Sequence, residues 1–101
     1  MLNLPIKDEW FRKIDRGEKP EEYREIKPYW TKRFITAGLL NADGSPSGRM
    51  AEITLTRGYG KDAPQLAARV VLGIGQGRAK WGAEPGKEYY RLDILRTRRI
   101  R

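Results

Sequence analysis

Apolar positions recur along the chain with two different periods, and each change of period marks an element. Leu2 and Leu4 flank Asn3 before Pro5, which predicts a short strand ending at the proline. Ile6, Trp10 and Ile14 then fall every fourth position with Phe11 beside them, an apolar stripe that predicts a helix over residues 7–16. Asp8 and Glu9 lie near the positive end of its dipole, and Arg12, Lys13 and Arg16 lie towards the negative end. Gly17 suits the left-handed position that ends many helices. Glu21 to Ile26 reads as a strand, broken by Lys27-Pro28, and Pro28 to Phe34 as a short helix that begins at its proline. Asn41 to Gly48 is dense in turn formers and predicts a loop or hairpin tip.

Strand periods dominate the second half. From Met50 to Arg57, Ala51, Ile53 and Leu55 share one face while Glu52, Thr54 and Thr56 share the other. Gly58 to Pro64 reads as a loop. Ala67 to Ile74 is apolar on both faces apart from Arg69, the mark of an inner strand. Gly73, Gly75 and Gly77 then predict either a bulged strand or a turn. Glu88 to Leu95 is the last strand, with Tyr90, Leu92 and Ile94 facing inward, and Arg96 to Arg101 reads as a basic tail. The sum is an α+β fold, a small, partly closed mixed β-barrel with one or two helices. At 101 residues the chain makes one domain, residues 1–101, without internal repeats.

Charge narrows the function. Lys and Arg number 21 against 13 Asp and Glu, so 21 − 13 gives a net charge of +8. Residues 1–25 hold six basic and seven acidic groups, and residues 26–101 hold fifteen and six; −1 and +9 sum to +8. The excess positive charge therefore lies beyond the first helix, which favours a polyanionic partner. There is no Cys and no His, so disulfides, Cys/His zinc sites, thiol nucleophiles and imidazole triads are all excluded. The two serines, Ser45 and Ser47, lie in a turn-like stretch. No carboxylate cluster suggests a metal site, and no cofactor is expected. No run approaches the ~20 apolar residues of a membrane span. With no visible signal peptide and no Cys, the expected setting is the cytoplasm.

The sharpest local feature is Gly17-Glu18-Lys19-Pro20-Glu21-Glu22-Tyr23-Arg24, with the pattern G-x-K-x-x-E-x-R. Gly17 lets the chain turn out of the helix, and Lys19 falls at the mouth of the next strand as a mobile cation. Glu22 and Arg24, two apart on a strand, point the same way. A carboxylate beside two cations stays ionised and holds both. In a cleft such a cluster binds a phosphate or polarises a carbonyl; on an open surface it is a solvated salt-bridge patch.

In these four positions, and in their place between the first helix and the next strand, the chain resembles the ASCH domain family, a branch of the PUA-like barrels associated with RNA. The resemblance implies an RNA- or nucleotide-binding domain whose basic cleft is lined by Lys19, Glu22 and Arg24. Other members resemble hydrolases that cleave RNA or deacetylate a modified nucleoside, acetylated cytidine. In that amidohydrolase branch a Thr stands where this chain has Glu22. As an enzyme, this chain would rely on Lys19, Glu22 and Arg24, with Lys19 and Glu22 moving protons. A protein-interaction module without a nucleic-acid ligand is the third reading.

Weaker candidates follow. Tyr29-Trp30-Thr31-Lys32-Arg33 interleaves aromatic and basic residues, which suits stacked bases and phosphates. Trp30 and Phe34 are one helical step apart, which favours the core for Trp30 and leaves Tyr29, Lys32 and Arg33 for binding. Gly58-Tyr59-Gly60-Lys61 offers Lys61 to an anion, though it is no P-loop. Gly73 to Arg78 falls short of a dinucleotide fingerprint, because Arg78 stands where the third glycine belongs. Trp81 reads as a core or lid residue. The C-terminal arginines are either phosphate contacts or solvated.

Overall fold

A computed structural model describes residues 1–101. In chain order the elements are β1 (Asn3–Ile6), α1 (Asp8–Asp15), β2 (Glu21–Arg24), α2 (Pro28–Thr36), β3 (Ala51–Arg57), β4 (Gln65–Gln76), a 3-10 turn (Ala79–Trp81) and β5 (Glu88–Arg99). The strands form one sheet in the order β1-β3-β4-β5-β2. β1 runs parallel to β3, and the other pairs are antiparallel. The sheet curls into a half-barrel, and the side chain of Arg24 at the end of β2 donates a hydrogen bond to the Pro5 carbonyl of β1, 2.9 Å away. The fold is α+β and barrel-like, as the sequence predicts.

The concave face holds the core. Leu4 and Ile6 of β1, Ile53 and Leu55 of β3, Val70 and Leu72 of β4 and Leu92 of β5 are buried there, and Phe11, Ile14 and Phe34 close it from the helices. Acidic and basic residues occupy the ends of α1 as its dipole prefers, with Asp8 and Arg12 paired at 3.0 Å. Pro28 starts α2. β1 passes through Pro5 to Ile6, which an edge strand tolerates because one side of it needs no ladder.

Two expectations change, and one open choice between strand and turn is settled. Ile6, assigned by spacing to the helical stripe, lies in β1. β4 continues through Gly73 and Gly75, because the Arg91 guanidinium of β5 lies flat across both. A Cβ at Gly73 would stand 2.9 Å from it, and one at Gly75 3.1 Å. The basic tail is strand: β5 pairs with β4 as far as Arg99 opposite Leu66.

Candidate functional site

The eight-residue motif packs into a compact ionic cluster. Gly17, at φ 76°, ends α1 and turns the chain so that Lys19 points inward rather than into solvent. Lys19 is 1% exposed, so it is a fixed buried group and not the mobile cation expected from sequence. Its ammonium donates to the Glu21 carbonyl and to one carboxylate oxygen of Glu22. It also lies 5.6 Å from the centre of the Trp10 ring and 5.2 Å from that of Tyr23. Burial pushes its pKa below the ordinary 10.5, against the opposing pull of Glu22. The second oxygen of Glu22 accepts from Arg24. Arg24 also donates to the carbonyls of Tyr23 (2.8 Å) and Pro5 (2.9 Å) and covers the Trp30 ring at 5.2 Å. Glu22 thus bridges two cations, and no buried side-chain polar atom is left without a partner.

Beside this cluster opens a hollow of about 450 Å³, bounded by the β1 and β2 edges, the start of α1, α2 and the 3-10 turn. All three tryptophans of the chain, Trp10, Trp30 and Trp81, line it, each half-buried, together with Tyr23 and Tyr89. The tyrosine rings lie 5.5 Å apart. Gly82, at φ 98°, presses the 3-10 turn against Trp10; a Cβ there would stand 3.1 Å from the indole. The Tyr23 hydroxyl donates to Glu21 at 2.7 Å and accepts the Arg78 N–H at 3.0 Å. Burial, then the bond to Glu21, push its pKa up to about 12.

The wall carries two cations, Lys7 and Arg24, and two carboxylates, Glu22 and Glu25. The wall itself is therefore aromatic and charge-balanced, while its rings carry further cations: Lys13 stands 5.2 Å from the centre of Trp10, Lys80 4.7 Å from that of Trp81 and Lys87 5.3 Å from that of Tyr89. Glu22 absorbs the charge of Arg24, and Lys19 lies behind the wall rather than in it.

Of the sequence candidates, Lys19, Glu22 and Arg24 come together, and Glu22 and Arg24 face the hollow. The others do not reach it. Tyr29 is exposed, its ring covered by the Arg33 guanidinium at 3.5 Å and set edge-on to Trp30 at 4.8 Å. Lys32 and Arg33 border a different hollow, about 480 Å³, with Met1 and Leu2. Lys61 sits in the β3–β4 loop, where its carbonyl accepts from Arg101 at 2.7 Å. Trp30, assigned to the core, stacks on Phe34 at 5.8 Å and also forms part of the wall. Sequence reasoning missed Trp10, Trp81 and Tyr89 as wall residues. The one local signal was Trp81, which stands in a basic stretch closed by a glycine, Arg78-Ala79-Lys80-Trp81-Gly82.

No group of three or more Asp or Glu side chains converges to hold a metal ion, and no helix is long and apolar enough to cross a membrane. Compared with known proteins, the chain matches no family model, no curated protein and no solved structure.

Proposed function

We propose that this protein binds RNA or a nucleotide by taking an unstacked base into the aromatic hollow. The observation that carries the reading is the convergence of Trp10, Trp30 and Trp81 with Tyr23 and Tyr89 around one space of about 450 Å³. That size lies within the roughly 300–1,000 Å³ of small-ligand sites. Aromatic faces stack on any base, at roughly 1–3 kcal/mol per base. At the wall, Glu22 accepts from a base N–H, and Arg24 donates to a carbonyl or phosphate oxygen. The resemblance of Gly17, Lys19, Glu22 and Arg24 to the ASCH motif supports the same reading, and the curled five-stranded sheet suits a PUA-like barrel. A Cys-free chain suits action in the cytoplasm.

The hydrolase reading ranks second. The lowered pKa of Lys19 favours proton transfer, but its ammonium is bonded twice and covered by two rings, so it reaches a substrate only through Glu22. In the binding reading Lys19 is a positioning residue that holds the carboxylate.

Trp81 tests the proposal, because it borders the hollow without packing on the hydrophobic core, unlike Trp10 and Trp30. Single-stranded RNA should quench tryptophan fluorescence, and Trp81→Ala should weaken binding roughly 5- to 150-fold, the loss of one stacked base. Absence of binding by the wild-type protein, or unchanged affinity in the variant, overturns it. Cleavage of labelled RNA, or acetate release from acetylated cytidine, that disappears in Lys19→Ala would establish the hydrolase instead.

A further inference from the structure

The lining residues of the hollow balance in charge, so the +8 net charge is displayed on the rest of the surface. Much of it stands on the outer face of β4 and β5. Arg69 and Arg96 sit directly opposite each other in the ladder, and both are exposed. Neither makes a salt bridge or a hydrogen bond through its side chain to any carboxylate of the chain. Arg98, two residues further along β5, shares their recess of about 340 Å³ with Glu52, its partner at 3.3 Å. Three guanidinium groups thus meet one carboxylate. Like charges directly opposed across a ladder destabilise it.

The backbone makes this opposition. Val70 pairs with Ile94 on the concave face, yet the preceding Arg69 pairs with Arg96, so Leu95 is the extra residue of a bulge. Without that bulge Arg96 would share the inward parity of Ile94; with it, Arg96 turns outward to meet Arg69. Bulges re-aim side chains in this way, at a local cost to the ladder. The register shift thus brings two arginines without ion pairs together beside a recess.

Tyr89, on the wall of the hollow, precedes Arg96 by seven positions on the same strand and the same outer face. At about 3.3 Å per residue the separation is roughly 20 Å once the bulge is allowed for. Arg91 lies flat between them over Gly73 and Gly75, bonded to Asp93 at 2.9 Å, and leaves the surface low. We propose that Arg69, Arg96 and Arg98 form a second site, for the backbone phosphates of the RNA strand whose base enters the aromatic hollow. The inference rests on the hollow being the base site, and at ~3.4 Å per stacked nucleotide the strand needs about six nucleotides to span both.

The test pairs two ligands with two variants. The ligands are a mixed-sequence RNA decamer and ribonucleoside monophosphates; the variants are Arg69→Gln/Arg96→Gln and Trp81→Ala. The arginine variant should bind monophosphates as the wild-type protein does. For the decamer, the slope of log K against log salt should become shallower by about 1.4, two phosphate contacts at ~0.7 each for a single strand. It should melt close to the wild-type protein, since it loses both the repulsion between Arg69 and Arg96 and the attraction of Glu52 opposite Arg69. An unchanged slope for the decamer, with Trp81→Ala weakening both ligands, overturns this site and leaves the hollow standing. A reduced slope in the arginine variant, with the decamer bound equally well by Trp81→Ala, removes the hollow and with it the shared strand, and overturns the proposal as stated. Failure of the wild-type protein to bind either ligand ends both.

Discussion

Glu22 carries one charge and serves two cations, Lys19 and Arg24, one at each oxygen. Lys19 is the buried partner, so its energy depends on the carboxylate. Glu22→Gln takes the bonded carboxylate from a buried ammonium, leaving it the more distant Glu21 carboxylate and the repulsion of Arg24, and should cost about 3–5 kcal/mol in urea unfolding. Adding Lys19→Met removes the charge that needs a partner, so the double variant should recover most of that loss; additive losses would show that the pair is not coupled. Tyr23 predicts a pH dependence. Its folded pKa is about 12 against an ordinary 10.0, because burial and the Glu21 carboxylate both disfavour the phenolate. Between those values the unfolded chain releases a proton that the folded chain keeps, so stability falls as pH rises through the window. Lys19 acts oppositely: its folded pKa lies below 10.5, and stability rises as pH climbs from that lowered value to 10.5. The difference between Tyr23→Phe and the wild-type protein isolates the tyrosine. Measured by urea unfolding, the wild-type protein should lose stability relative to the variant from pH 10 to 12, and a flat difference would refute the assignment.

At the scale of elements, legibility follows locality. α1 was readable because Phe11 and Ile14 share one buried face and its end charges match its dipole. Trp10, read as part of the same stripe, turns to the hollow, since helical spacing gives a face but not what the face meets. β3 was readable from its alternation, with Ile53 and Leu55 buried. The outer half of β5 was not. Arg96 to Arg99 are polar even where Thr97 and Arg99 pair with the core residues Ala68 and Leu66, and the bulge at Leu95 shifts the parity, so neither period nor polarity announces a strand there. The same split governs the site. Lys19, Glu22 and Arg24 lie within six positions of one another, and their meeting follows from one turn and one strand. Trp10, Trp30 and Trp81 come from α1, α2 and the 3-10 turn, and only the curling of the sheet brings them together.

At the scale of the whole molecule, side chains bridge the half-barrel where a fifth strand pairing, β1 with β2, would close it. β1 and β2 are the two edges of the sheet, and the guanidinium of Arg24 reaches from one to the Pro5 carbonyl of the other. The hollow lies in this seam, with Pro5, Ile6 and Trp30 on its wall, so the residue that spans the seam, Arg24, also lines the hollow. Arg24→Ala removes three hydrogen bonds of a charged donor, each worth roughly 1.5–3 kcal/mol when intact, less what water restores at a half-open seam. The loss should be local. β4 is paired on both sides along the sheet and defines the most stable part of the fold, whereas β1 and β2 each have one neighbour. Amide hydrogen exchange should therefore accelerate in β1 and β2 of the variant far more than in β4. Arg24→Lys keeps the charge but not the planar fork, so it should hold Glu22 while still freeing the Pro5 carbonyl, and should accelerate β1 as the alanine variant does. Wild-type exchange rates in β1 and β2 of Arg24→Ala would mean that the seam is held by the packing of Leu4 and Ile6 alone.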